Sequence, residues 1–162
     1  VSDARPLPER SKIVQRAIAD AGLSATVLEL PDSTRTAAEA AAALGCEIGA
    51  IGSSLVFLSD GDPVLVLTSG RHRVDTDLLA GQLAASRIEM ASAKRVRAIT
   101  GQAIGGVAPI GHPTLLRTII DEALSEYKTI WTAAGTPHTV FRLTFDELVS
   151  LTRGSVLKVA AE

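Results

Sequence analysis

Two apolar runs, Ser54-Leu55-Val56-Phe57-Leu58 and Val64-Leu65-Val66-Leu67-Thr68, stand on either side of Ser59-Asp60-Gly61-Asp62-Pro63. The runs are rich in β-formers and apolar at almost every position, not at alternate ones. Strands of that kind are stable only where both of their faces are covered. The spacing predicts an antiparallel hairpin with a five-residue loop, buried on both sides. A single amphipathic sheet, wet on one face, is excluded for this part of the chain.

Other elements gather around that hairpin. Pro8 suits an early helical position, and Ile13, Val14, Ala17 and Ile18 follow at helical spacing, so a helix is expected over about 9–21 with Gly22 as its stop. Thr26–Leu30 reads as a short strand closed by Pro31-Asp32. Thr36-Ala37-Ala38-Glu39 is a capping box, and the Ala-rich helix it opens ends near Leu44-Gly45. Short helices are expected over 74–83 and 93–99. Strands are expected over 129–132, 139–143 and 155–160, and a second capping box, Thr144–Glu147, opens a helix to about Thr152. The segment 115–124 fits a helix by spacing and a strand by its Thr118-Ile119-Ile120. Hairpins mixed with helices give an α+β (mixed α/β) class, not a regular parallel βαβ fold.

The 162 residues suit one domain over 1–162, with 1–8 as a flexible N-terminus. Sixteen Lys and Arg against 18 Asp and Glu leave a net charge of −2, which excludes holding nucleic acid by bulk charge. A local patch of Arg71, Arg73, Lys94, Arg95 and Arg97 remains available for phosphates, although each charge taken singly reads as a solvated face. Five aromatics are too few for a multi-base stacking platform. The single Cys46 excludes an internal disulfide framework and a Cys-rich zinc site. There is no apolar leader core and no run of 18 apolar residues, so a cytoplasmic protein without membrane contact is expected. GxxxxGK, GxGxxG, HExxH, CxxC and GxSxG motifs are all missing from the sequence, and no cofactor is expected.

The sharpest local signal is residues 100–113, which carry Gly101, Gly105, Gly106, Pro109, Gly111 and Pro113. Glycines let backbone approach a ligand closely, and Pro109 stiffens the path, so this segment reads either as a backbone-walled pocket or as a tight connection between buried elements. His72, His112 and His138 lack metal-ligand spacing. His112 ends the glycine segment, where an imidazole polarises a carbonyl or a water, and each histidine also fits a plain hydrogen-bonded role. Ser53 and Ser54 follow Gly52 at a strand start. There a hydroxyl binds an ester or amino group, or satisfies backbone; no base lies nearby in sequence to make it a nucleophile.

Taken in order, Thr36–Gly45, Ile51-Gly52-Ser53-Ser54-Leu55-Val56-Phe57, Arg73-Val74-Asp75 and Thr100–His112 resemble the YbaK/EbsC family of aminoacyl-tRNA deacylases, related to the editing insert of bacterial prolyl-tRNA synthetases. Ala133-Ala134-Gly135 and Asp146-Glu147-Leu148 add a weaker match. The resemblance implies a mixed sheet curled toward a barrel with helices around it. It implies metal-free hydrolysis of the ester between a wrong, small amino acid and the tRNA 3′ end. Its partners would be aminoacyl-tRNA and an aminoacyl-tRNA synthetase, the protein itself being a monomer or homodimer. Gly105-Gly106-Val107-Ala108-Pro109 matches the family's GxxxP loop, whose backbone lies against the aminoacyl group. By this resemblance Ser53 and His138 are the catalytic candidates. Ser54, Gly101, Gly105, Gly106, Val107, Ala108, Pro109, Gly111, His112 and Gly135 are the substrate-binding ones. Gly106→Ala is expected to fold and to penalise bulky substrates first. One departure stands out. Ser53 occupies the position of a functionally important lysine of the family, which makes a non-catalytic binding module the alternative.

Overall fold

The computed structural model describes residues 6–31, 34 and 36–161. Helix α1 (Glu9–Asp20) starts after Pro8, whose fixed φ suits a helix entrance, and it buries Val14 and Ile18. Strand β1 (Leu28–Glu29) is followed by α2 (Ala37–Leu44). The Thr36–Glu39 capping box opens α2, and Gly45 ends it in the left-handed region at φ 70°. Next come β2 (Ile51–Ser59), β3 (Asp62–Ser69), α3 (Thr76–Leu83), β4 (Ile88–Met90) and α4 (Ala93–Thr100). After the glycine-proline segment the chain forms β5 (Arg117–Asp121), β6 (Ile130–Ala133), β7 (Thr139–Leu143), α5 (Phe145–Thr152) and β8 (Ser155–Leu157). The Thr144–Glu147 capping box is present at the start of α5.

One mixed sheet results, in the order β1-β7-β6-β2-β3-β5-β8, with β4 paired to the far half of β2. β2 and β3 are antiparallel, while β2·β6, β3·β5 and β5·β8 are parallel. Parallel neighbours of a hairpin need crossovers, which the helices and the long loop supply. Val64 to Leu67 of β3 have no solvent exposure at all. Alternate residues feed two cores. Val56, Leu65, Leu67 and Ile120 join Phe141 and α1 on one face. Phe57, Val64, Val66 and Ile119 join Leu79 of α3 on the other. The mixed α/β class and the doubly buried hairpin are therefore as the sequence predicts.

Five details differ from expectation. Ser59 pairs with Asp62, so the turn is two residues, Asp60-Gly61, not five. Both have positive φ, 50° and 91°, as a turn matched to strand twist requires. Asp60 accepts this geometry because its carboxylate takes hydrogen bonds from the backbone N–H groups of Ser86 and Arg87. α3 begins at Thr76 rather than Val74, since the Asp75 carboxylate caps the N–H groups of Asp77 and Leu78. The ambiguous 115–124 segment splits into β5 and a 3₁₀ turn, Glu122–Glu126. β4 was not anticipated, and β8 is shorter than 155–160. The expected flexible stretch 1–8 falls largely outside the described residues. Within it, Leu7 already packs against the core.

Candidate functional site

A cleft of about 220 Å³ opens between the sheet and α2. Period-two alternation sends Ile51, Ser53 and Leu55 of β2 to one face. They border the cleft with Trp131 and Ala133 of β6, whose pairing with β2 puts Ile51 opposite Trp131. Thr36, Ala37 and Ala40 of the α2 start form a second wall. Gly105 and Val107 of the glycine-proline segment, with Pro137, close the third. Among the described lining residues none is acidic, basic, histidine or cysteine. Polarity comes from hydroxyls and backbone. Alternation turns the Ser54 side chain to the opposite face of β2, where its hydroxyl is buried without a hydrogen-bond partner, and the Thr68 hydroxyl, across the ladder from Ser53, is likewise buried and unpaired.

The loop is pinned by a residue that the sequence left unmarked. Gln102 is buried, accepts from the Ala108 N–H at 2.7 Å and donates to the Ile110 carbonyl at 3.4 Å. One side chain thus ties both limbs of the loop. Gly101, Gly105 and Gly111 take positive φ, which explains glycine there. Gly106 does not. The place of its missing side chain is filled by the backbone of Thr136 and Pro137, and its carbonyl accepts from the Gly135 N–H at 2.9 Å. Gly106→Ala is therefore not the mild change expected from the sequence, because the added methyl meets backbone and not a ligand. Gly135 in turn lies against the Arg10 backbone.

The sequence candidates separate in space. Ser53, Ser54, Gly105 and Val107 border the cleft. Ala108 and Pro109 are buried behind it. Gly101, Gly111 and His112 line a different depression beside Arg10 and Ile13. There burial pushes the His112 imidazole below its ordinary pKa, while its Nε2–H donates to the Ala108 carbonyl at 2.8 Å. That bond holds the loop. His138 Nδ1 lies 3.1 Å from the Thr34 carbonyl, so it steadies a residue of the cleft rim without itself lining it. Arg73, Lys94, Arg95 and Arg97 are exposed and do not line the cleft, and Arg71 forks onto Glu126 and touches the Tyr127 hydroxyl. Trp131, Thr132, Thr36 and Ala37 were not named as site residues from the sequence, Thr36 and Ala37 being read there only as a helix start and part of the resemblance. They are ordinary strand and helix residues that only the β2·β6 pairing and the α2 placement bring together.

Such a pocket, on this mixed sheet, offers a ligand shape, hydroxyls and backbone rather than charged side chains among its described lining residues. The chain belongs to the aminoacyl-tRNA editing domain family, which it matches over residues 31–151. The protein YwhH of Bacillus subtilis is 31% identical over 75% of this chain and 78% of its own length. EbsC of Enterococcus faecalis, to which Cys-tRNA(Pro)/Cys-tRNA(Cys) deacylase activity is ascribed, is 29% identical over 78% of both chains. A proline–tRNA ligase of Bacillus licheniformis is 41% identical over 65% of this chain but only 19% of the ligase. A crystal structure put forward as a trans-editing enzyme for prolyl-tRNA synthetase superposes with TM-score 0.91 at 40% identity, over 97% of this chain and all of that one. Among the described residues no helix is long and apolar enough to cross a membrane.

Proposed function

We propose that this chain is a trans-acting deacylase that hydrolyses the ester of a tRNA mischarged with a small amino acid. The observation that carries the reading is the cleft itself, which is backbone-walled, hydroxyl-lined and without an acid or base among its described lining residues. An aminoacyl ester is already activated by the neighbouring ribose hydroxyl. The protein then needs to hold the ester, seat a water and stabilise the developing oxyanion. Ser53 is the hydroxyl best placed at the cleft wall for that work. Gly105 and Val107 face the aminoacyl group, and His138 acts as a positioning residue through the Thr34 carbonyl. A volume of about 220 Å³ lies below the ~300–1,000 Å³ of sites for drug-sized ligands, which favours small amino acids. The purified protein is expected to deacylate at least one of Ala-, Ser-, Thr- and Cys-charged tRNAs faster than buffer. Absence of turnover on all four would overturn the reading.

A second reading, a non-catalytic binding module, is favoured by one observation, the serine at position 53. Ser53→Lys separates the two. Activity that appears in the variant and is missing in the parent makes the parent a binding module.

Tight binding of the tRNA body is not expected at net charge −2. With Arg71 occupied by Glu126, the cations Arg73, Lys94, Arg95 and Arg97 supply the remaining phosphate contacts. The salt slope should be shallow, about 0.7–0.9 per phosphate neutralised. Replacing these four cations, and Arg71 with them, by Ala should weaken affinity and flatten that slope. Unchanged affinity would remove this surface from the tRNA path.

A further inference from the structure

A polar cavity of about 430 Å³ adjoins the cleft, bordered by Ser24, Thr26, Leu28, Arg142 and Glu147. Trp131 lines this cavity and the cleft alike. The two other depressions beside the glycine-proline segment share no described lining residue with the cleft. Leu30, just after β1, borders the cleft and Leu28 the cavity, so the chain at the end of β1 and Trp131 together form the ledge between them. In the β6·β7 ladder Arg142 stands directly opposite Trp131, and its guanidinium lies 5.6 Å from the ring centroid.

We infer that this Trp131–Arg142 ledge seats one nucleobase of the substrate's single-stranded 3′ end. The inference rests on the deacylase reading and specifies how that site grips its nucleic acid. When the acyl group fills the cleft, the terminal ribose sits at the mouth. The base attached to it then reaches a neighbouring depression while its phosphodiester stays in solvent, and the depression with a shared wall is this cavity. An indole and a guanidinium plane are both surfaces on which bases stack. The rim supplies hydroxyls, a guanidinium and the Glu147 carboxylate. That mixture of donors and acceptors suits the edge of a base, whereas the carboxylate repels a bare phosphate. Stacking also suits a chain of net charge −2, which has little bulk attraction to offer. A paucity of aromatics excludes a platform for several bases but not a seat for one.

Trp131 is the sole tryptophan of the chain, so its emission reports on the seat directly. Titration of the whole protein with the trinucleotide cytidylyl-cytidylyl-adenosine is expected to change that emission saturably, while ribose 5-phosphate leaves it unaltered. Arg142→Ala should weaken the trinucleotide about fivefold or more. Trp131→Leu should raise KM for the mischarged tRNA about tenfold, in line with the cost of losing one base stack. The effect on kcat should be smaller, Trp131→Phe should restore most of the loss, and circular dichroism should show all variants folded. Emission indifferent to the trinucleotide in a protein that deacylates tRNA overturns the seat and leaves the deacylase reading standing. An equal response to ribose 5-phosphate also overturns it. A base-dependent response in a protein without any turnover supports the seat and sinks the deacylase reading.

Discussion

Gly106→Ala should lower the melting temperature by roughly 6–12 °C, whatever it does to activity. A methyl carbon at position 106 would lie 2.5 Å from Thr136 Cα and 2.6 Å from Pro137 N. Real contacts do not come so close, and both neighbours are backbone, so no side chain can swing aside. The Gly106 N–H donates to the Ala103 carbonyl at 2.9 Å, and its own carbonyl accepts from the Gly135 N–H at 2.9 Å. Relief therefore requires one loop to move off the other. Overpacking costs typically about 1–3 kcal/mol, and a backbone-on-backbone clash belongs at or above the upper end; at about 2–4 °C per kcal/mol for this chain length, that gives the stated shift. Gly105 behaves differently. Its φ is +88°, and an added methyl would find only Pro137 Cγ, at 4.0 Å. Gly105→Ala should cost about 1–2 kcal/mol of left-handed strain and place its methyl at the cleft, so it is the position for a substrate-size series. Thermal denaturation decides the matter. A Gly106→Ala protein melting within about 2 °C of the parent, a loss of at most about 1 kcal/mol and so at or below the low end of the overpacking range, would remove the loop-on-loop contact from the account.

Much of the fold was legible because it is encoded locally. Both capping boxes satisfy helix-end N–H groups with residues three apart, and two apolar runs without alternation can only be doubly buried strands. The glycine-proline segment was legible as a wall, yet its glycines do different jobs. Gly105 faces the cleft, Gly106 faces Thr136 and Pro137, and Gly101 and Gly111 serve another depression. Composition cannot separate these, because the role of each is set by what lies across from it. Gln102 was missed for the same reason; a glutamine in a glycine-rich run looks solvated until both limbs of the loop close on its amide. The two-residue turn was hidden because Ser59, Asp62 and Pro63 have loop chemistry, although paired strand ends tolerate them. The cleft itself depends on β2 pairing in parallel with β6. That puts Trp131 opposite Ile51 across a long crossover, and no local pattern announces it.

Asp121→Ala should produce the second large loss, about 3–5 kcal/mol, since each buried donor left without its acceptor costs about 1–3 kcal/mol. Asp121 ends β5 and is 1% exposed. Its Oδ2 accepts from the Ser69 N–H at 3.0 Å and from His72 Nδ1–H at 2.8 Å, and its Oδ1 accepts from the Ala123 N–H at 3.0 Å. Three donors thus converge on one carboxylate, joining the end of β3 to the 3₁₀ turn after β5. Alanine leaves the buried Ser69 and Ala123 N–H groups without this acceptor and takes the carboxylate away from His72 Nδ1. Asparagine keeps the shape but has one oxygen where two are needed, and its amide N–H₂ then points at a donor. Asp121→Asn should therefore lose most of what Asp121→Ala loses, which separates acceptor count from packing. The damage should reach the cleft as well. The Ser69 hydroxyl donates to the Gly49 carbonyl at 2.7 Å, and Gly49 lies in the turn that leads directly into Ile51 and Ser53. With Ser69 released, the start of β2 loses its anchor and the Ser53 hydroxyl its fixed position. Trinucleotide binding and deacylation should both decline at temperatures below the new melting point. Chemical denaturation of the two variants gives the energies, and a loss under about 1 kcal/mol for Asp121→Ala, comparable to an exposed pair, would show that water replaces the carboxylate and that the strand ends hold without it.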